Sequence, residues 1–284
     1  MKFNHSKADL FLPQGESTEV AFKKVTHLGI GAHQDDLEFM AFHGILECFH
    51  SSEKWFAGIT CTDGAGSARE GKYQDYTDAQ MQVIRQEEQR TAAIIGKYAF
   101  MAQLGHPSSV AKSSTDTALR DDLERVFENC QPEVVYTHNL ADKHETHIGV
   151  VIAVIEALRN QPADRHPQKV YGCEVWRDLD WLLDEEKVAF PVSAHENLAA
   201  ALNGVFDSQI AGGKRYDLAI MGRRRANATF FDAHSVDESE QLAFGMDLTP
   251  LIQDTTQDVV DFTCSAIERF RQNVEDVLRK RLGR

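Results

Sequence analysis

The stretch VTHLGIGAHQDDLEF, residues 25–39, decides how the chain is read. Its first eight residues, Val25 to Ala32, are mainly apolar and read as a strand buried inside a sheet. The run then ends on His33, Asp35, Asp36 and Glu38. Cores exclude charge unless it is paired or bound to a metal. Ionisable side chains crowded at the end of a buried strand therefore point to a metal site.

The segments around it set the fold class. Residues 55–62, 98–104, 133–139 and 169–176 are further β-rich runs. Between them, residues 78–96, 115–130 and 146–160 carry apolar positions at helical spacing. In the last of these, Val151, Val154, Ile155 and Leu158 share one face. This alternation predicts an α/β fold with a mostly parallel sheet and helices on both faces. Ligands of such sheets gather at the carboxyl edge of the strands. From about residue 177 the pattern loosens into helical stretches, 193–213 and 255–284 among them. With no linker, repeat or low-complexity tract, residues 1–284 are expected to form a single domain with a helical C-terminal extension.

Charge narrows the partners. The chain has 30 basic against 44 acidic residues, a net charge of −14. Nucleic acid and anionic membrane both reward a basic face, so neither is expected and a small molecule is. The five scattered cysteines form no C-x-x-C pair and read as buried thiols of a reducing compartment. The first residues show neither an apolar signal core nor a cleavage site. No segment approaches the ~18 uninterrupted apolar residues of a membrane span. A cytoplasmic protein is the expectation.

Two strand ends hold the chemistry. The second is THNLADKHETHIG, residues 137–149, with His138, Asp142, His144 and His147. If both strands are central and parallel, both clusters lie at one edge. His33 and Asp36 are three apart at a strand-to-helix turn and can point at one centre. His144 and His147, also three apart, share one side of a helix's opening turn. Two imidazoles and a carboxylate suit a borderline divalent ion such as zinc, and three protein ligands leave the open position of a catalytic site. Consecutive helical side chains diverge by ~100°. One of Asp35 and Asp36 can therefore ligate while the other acts on the attacking water as general base. The plainer reading is that Asp35-x-x-Glu38 and Asp142-x-x-Glu145 are capping boxes that merely start helices.

At these residues the chain resembles a family. AHQDDLE, residues 32–38, is similar to the A-H-P-D-D-x-E signature of the LmbE-like (PIG-L) zinc-dependent N-deacetylases, and DKHETH, residues 142–147, to their D-x-H-x-x-H signature. TDG at 62–64 and RQEE at 85–88 resemble further family features, so the likeness runs through roughly residues 25–150 in order. Gln34 stands where the family has proline, whose ring would fix φ; it either loosens the turn or adds a polar contact. Thr146 stands where an aspartate is frequent.

The resemblance implies a Rossmann-like α/β fold and one zinc ion held by His33, Asp36 and His147, with Fe2+ as an alternative ion. It implies Asp35 as general base. It also implies that His144, as imidazolium, stabilises the oxyanion, with Asp142 placed to orient His144 or raise its pKa. The implied reaction removes an N-acetyl group from an amino sugar or its conjugate. Some relatives cleave other amides, thiol conjugates included.

Substrate contacts are read from the residues themselves. Arg69, in the long loop after the second strand, could reach substrate hydroxyls or a phosphate, or stay solvated. Arg223 to Arg225 form a dense basic run. One could face an anionic group, although a solvated helix face or an interface is the plainer expectation. Trp176 and Trp181 could stack on a sugar or pack in the core. Two histidines and a carboxylate also describe a non-haem iron site. Gly29 and Gly31 supply two of the three glycines of a nucleotide fingerprint. A base beside the ligands fits hydrolysis better than either. The long C-terminal helix could join copies of the chain in a homo-oligomer.

Overall fold

A computed structural model describes all 284 residues. Its centre is one sheet of eight strands: β1 (Asp9–Phe11), β2 (His27–Gly31), β3 (Phe56–Thr62), β4 (Met101–His106), β5 (Val134–His138), β6 (Lys169–Cys173), β7 (Lys187–Pro191) and β8 (Leu242–Asp247). The order across the sheet is β1-β4-β3-β2-β5-β6-β8-β7. From β4 through β3, β2 and β5 to β6 every pairing is parallel, as the strand–helix alternation predicts. The remaining pairings, β1 with β4, β8 with β6 and β7 with β8, are antiparallel.

The chain leaves β2 for β3 and β4 on one side and later fills β5 and β6 on the other. β2 and β5 are therefore neighbours where the strand order reverses. Open α/β sheets form a crevice at that point, outside the carboxyl ends of the strands. His33 and Asp36 follow β2, and Asp142 to His147 follow β5, so both signatures arrive at this crevice.

Local packing draws the first signature close to the sheet. Strands send alternate side chains to opposite faces, which puts Leu28 and Ile30 on one face of β2 and leaves Gly29 and Gly31 on the other. The helix Asp36–Met40 lies on the glycine face. A Cβ at Gly31 would stand 2.9 Å from the Cβ of Asp36, and one at Gly58 would stand 2.7 Å from Cδ1 of Leu37. Only bare backbone lets the helix settle there. Leu37 is fully buried in the contact, which contributes roughly 1.5–3 kcal/mol. Gly29 and Gly31 thus answer a packing demand, and the weak nucleotide fingerprint has no separate signal left.

The region after residue 177 differs from the expected helical extension, because β7 and β8 add two strands to the sheet. Both hide from periodicity. LAFGMD of β8 is buried along nearly its whole length, so it shows no alternation. β7 ends on a proline, tolerated because the strand is at the sheet's edge. The expected helix over 193–213 is broken into Glu196–Gly204 and Asp207–Ile210, with the buried Phe206 between them. The last helix, Val259–Leu282, starts where the Asp258 carboxylate accepts the N–H groups of Val260 and Asp261 at 2.8 and 2.9 Å. It stops at Gly283, whose φ of 67° suits glycine. No helix is long and apolar enough to cross a membrane.

Candidate metal centre and active site

The two signatures meet in space. His33 Nδ1 lies 3.2 Å from His147 Nε2, and these atoms face Asp36 Oδ2 at 3.4 and 3.5 Å. A tetrahedral zinc with bonds of about 2.0–2.1 Å needs donor atoms roughly 3.3 Å apart. The three atoms match one face of such a tetrahedron. With both rings neutral at these nitrogens and the carboxylate ionised, each atom would offer a lone pair to a common centre, an arrangement that a cation stabilises. His33 and Asp36 also line a cavity of about 560 Å³ together with Asp35 and His144, within the size range of small-molecule sites. The donor set, its spacing and the adjoining cavity all fit a divalent ion of zinc's kind.

Electrostatics point the same way. Burial works to raise the Asp36 pKa, but the neighbouring imidazoles of His147, His138 and His33 outweigh it and hold the carboxyl well below its usual range. Burial lowers the His147 pKa, yet Asp36 and Asp142 more than compensate and raise it. An ionised Asp36 therefore faces the imidazoles of His33 and His147.

Asp142 has a different partner from the expected one. Its Oδ2 lies 3.5 Å from His147 Nδ1 and accepts the Trp176 N–H at 3.2 Å, while its Oδ1 accepts the backbone N–H of His144 at 3.0 Å. It therefore faces the ring of His147, the carboxylate–histidine arrangement that fixes a ligand's tautomer, and touches only the main chain of His144. Nor is His144 an imidazolium. Its Nδ1 accepts the Thr146 N–H at 3.3 Å, which assigns the ring proton to Nε2. Burial, with His33 and His147 adding to it, pushes its pKa down to about 4. At neutral pH it is a neutral N–H donor. This same bond makes His144, and not Asp142, the cap of the helix Glu145–Arg159.

Asp35 is no cap either. It occupies the N-cap position of Asp36–Met40 without a capping bond, at a φ of 106°. Positive φ is uncommon outside glycine, and such backbone costs of order 1–3 kcal/mol. The neighbours hold it there: its N–H donates to Gln89 Oε1 at 3.1 Å, and its carboxylate lies 3.6 Å from Arg85 Nη2. Burial drives its pKa well above the usual range; Arg85 opposes this, while Asp36, Glu38 and Glu88 add to it. Glu38 accepts from Tyr98 Oη at 2.7 Å and Gln89 Nε2 at 2.9 Å, so the second half of the expected capping box is also occupied elsewhere.

Gln34 makes the polar contact, not the loosened turn. Its Nε2 donates to Thr62 O on β3 and Gln103 Oε1 on β4, both at 3.2 Å. Its own carbonyl accepts from Arg85 Nη2 at 2.6 Å.

Other residues take places that spacing could not assign. Arg69 is spent within its own loop, donating to Tyr76 O at 2.8 Å and Ala65 O at 2.6 Å and pairing with Asp78. It is not a cavity residue; its neighbours Ser67 and Ala68 are. The arginine run splits three ways. Arg223 lines the cavity, and Arg225 pairs with Glu196 outside it. Arg224 is buried, donates to the carbonyls of Glu38 and Phe39 at 2.8 and 3.1 Å, and lies 4.5 Å over the Phe42 ring. Trp176 lines the cavity, whereas Trp181 packs against the core.

His138 ends β5, and its part in the site does not follow from spacing. Its Nε2 accepts the Ala32 N–H at 2.9 Å and stands 3.4 Å from Asp36 Oδ2, and its ring stacks on His147 at 3.8 Å. Its lone pair is engaged, so it buttresses the ligands. Its position at a strand end was the one available signal.

Residues 28–158 match the family model described as GlcNAc-PI de-N-acetylase, PIG-L. A comparison with curated proteins finds no match. Among solved structures, the chain is similar to a 4-carboxy-2-hydroxymuconate hydratase of Pseudomonas putida (TM-score 0.60, 19% identity, 79% of this chain and 96% of that one). It is similar to an N,N'-diacetylchitobiose deacetylase of Pyrococcus horikoshii (TM-score 0.59, 14% identity, 82% and 88%). A third is an antimicrobial-reagent pseudoaglycone deacetylase (TM-score 0.58, 14% identity, 79% and 97%). At these identities the likeness concerns the fold.

Proposed function

Since residues 28–158 form a PIG-L (LmbE-like) domain, we propose that the protein hydrolyses the N-acetyl amide of an amino sugar or amino-sugar conjugate at a zinc centre held by His33, Asp36 and His147. His33, Asp36 and His147 would hold the ion, which would supply Lewis acidity towards the acyl oxygen and the attacking water.

The chain's own groups do the rest. Asp35, buried and with an elevated pKa, takes the proton of the attacking water as its oxygen bonds to the acyl carbon. The neutral Nε2–H of His144 donates to the oxyanion that develops on the former carbonyl. The carbon–nitrogen bond then breaks, the amine leaves with the proton returned by Asp35, and acetate remains. Asp142 and His138 keep the ring of His147 in place. All five cysteines are free and four are buried, which supports a reducing, cytoplasmic setting.

The observation carrying this reading is the triangle of three donor atoms beside a strained, buried carboxylate and an N–H donor in one cavity. The test incubates metal-loaded protein with N-acetylglucosamine and its conjugates and reads acetate and free amine. Release that stops with a chelator and returns with zinc is expected; no release from any member with metal bound overturns the reading.

A second reading has one observation behind it. Three cations in the cavity, Lys112, Lys214 and Arg223, would also suit a carboxylated unsaturated acid, the substrate type named for the hydratase of similar fold. Loss of conjugated absorbance without amine release would select it.

A further inference from the structure

The cavity runs against the charge of the whole molecule. The chain carries −14, yet Lys112, Lys214 and Arg223 all line this one space. None of the three forms an ion pair, whereas their neighbours Arg215 and Arg225 are tied to Asp217 and Glu196. Lys214 and Arg223 are half-buried. Withdrawing a cation from water without a close ion pair is unfavourable, so the half-buried Lys214 and Arg223 are placed to gain from an anion that is not part of the chain.

The surroundings give that anion a position. Arg223 donates Nη1 to the carbonyl of Val175, which leaves further guanidinium donors in their fixed fork. Glu174, the neighbouring carboxylate, feels the Arg223 charge, but it accepts from Asn227 and the Phe244 N–H, and burial outweighs all three and raises its pKa to about 7. It is a weak counter-ion. The Lys214 ammonium lies 5.2 Å over the ring of Trp176. Trp176 in turn adjoins His144, with ring centroids 6.5 Å apart, and meets Tyr216 edge-on at 6.2 Å. An aromatic surface thus links the reacting end of the cavity to its cations, a surface on which the apolar face of a sugar ring can rest.

Building on the amino-sugar reading above, we propose that the substrate carries an anionic substituent, a phosphate or a carboxylate, received by Lys214 and Arg223 with Lys112 contributing, while its ring rests on Trp176. The discriminating groups are these three cations, and the anion sits apart from the acyl group.

The test compares matched substrates on zinc-loaded protein: N-acetylglucosamine, its 1- and 6-phosphates, and the carboxylate-bearing N-acetylmuramic acid. At least one anionic member should exceed the neutral sugar in kcat/KM by about tenfold or more, the scale of one charge-assisted hydrogen bond. The phosphate and carboxylate arms tell the two anions apart. In the double variant Lys214→Gln, Arg223→Gln the ratio of anionic to neutral kcat/KM should collapse towards one, with zinc content retained. Lys112→Gln, at an exposed position, should reduce it partly. No anionic preference, or a preference that survives the double variant, overturns the proposal.

If no member is hydrolysed, the amide-hydrolase reading fails and calorimetry decides this one. Glucosamine 6-phosphate or muramic acid should bind more tightly than glucosamine, and the difference should vanish in the double variant. Equal binding of charged and neutral sugars overturns it.

Discussion

His33 Nδ1 and His147 Nε2 lie 3.2 Å apart although 114 residues separate them in the chain. Both atoms also face the same oxygen of Asp36, at 3.4 and 3.5 Å. The spacing is that of two ligands on one ion, with a donor triangle already assembled by the protein.

Removing either ring should therefore empty the centre. His33→Ala and His147→Ala are expected to lose bound zinc after dialysis, read by emission spectrometry, with activity falling in step. If either variant keeps one equivalent of zinc, the ligand assignment is wrong.

Asp35 should separate chemistry from metal binding. Asp35→Asn is expected to lower kcat by about 10²–10⁴, the usual worth of a positioned general base, with zinc content unchanged. Asp35→Gly should be equally impaired yet melt higher than Asp35→Asn, because glycine accepts a φ of 106° without strain. Equal melting temperatures would mean that the backbone stores nothing there.

His144→Ala should lower kcat by about 10²–10³, the cost of one lost oxyanion donor, and leave zinc in place. Since the pKa of His144 is pushed down to about 4, its protonation should add no fall in activity between pH 6 and 8. A lost limb in the pH profile of the variant, present in the parent near pH 6.5, would restore the imidazolium role.

Glu174 gives a stability signature away from the metal. Burial raises its pKa from 4.5 to about 7, so the folded chain binds a proton that the unfolded chain has already released. Its contribution is fully present below pH 4.5 and is lost as pH rises through about 7. The slope is at most about 1.4 kcal/mol per pH unit. Glu174→Gln keeps the oxygen that accepts from Asn227 and Phe244 and should flatten that slope in denaturant titrations. An unchanged slope would assign it to another group.

Arg69→Ala should cost stability by about 1–2 kcal/mol through its lost bonds to two carbonyls. It should leave the ranking of substrates intact. A changed ranking would return Arg69 to the substrate site.

Much of this is legible in the sequence. Strand–helix alternation fixed the parallel core. AHQDDLE and DKHETH identified the strand ends that matter, because three-residue spacings decide which side chains share a face of one element. Short-range geometry is a property of the local sequence. The limits of that logic appear at Arg223, Arg224 and Arg225, where consecutive residues reach a cavity, a buried pair of carbonyls and a surface glutamate. A helix turns by ~100° per residue, so their directions must differ, but what lies in each direction is supplied by elements up to 186 residues away. The same holds for Asp142, which two-residue proximity assigned to His144 and the folded crevice gives to His147. Sequence alone determined which residues can ligate, act as a base or donate. The tertiary structure decided which of them meet, because β2 and β5 become neighbours only when the whole sheet is ordered, and that order rests on burial summed over the chain.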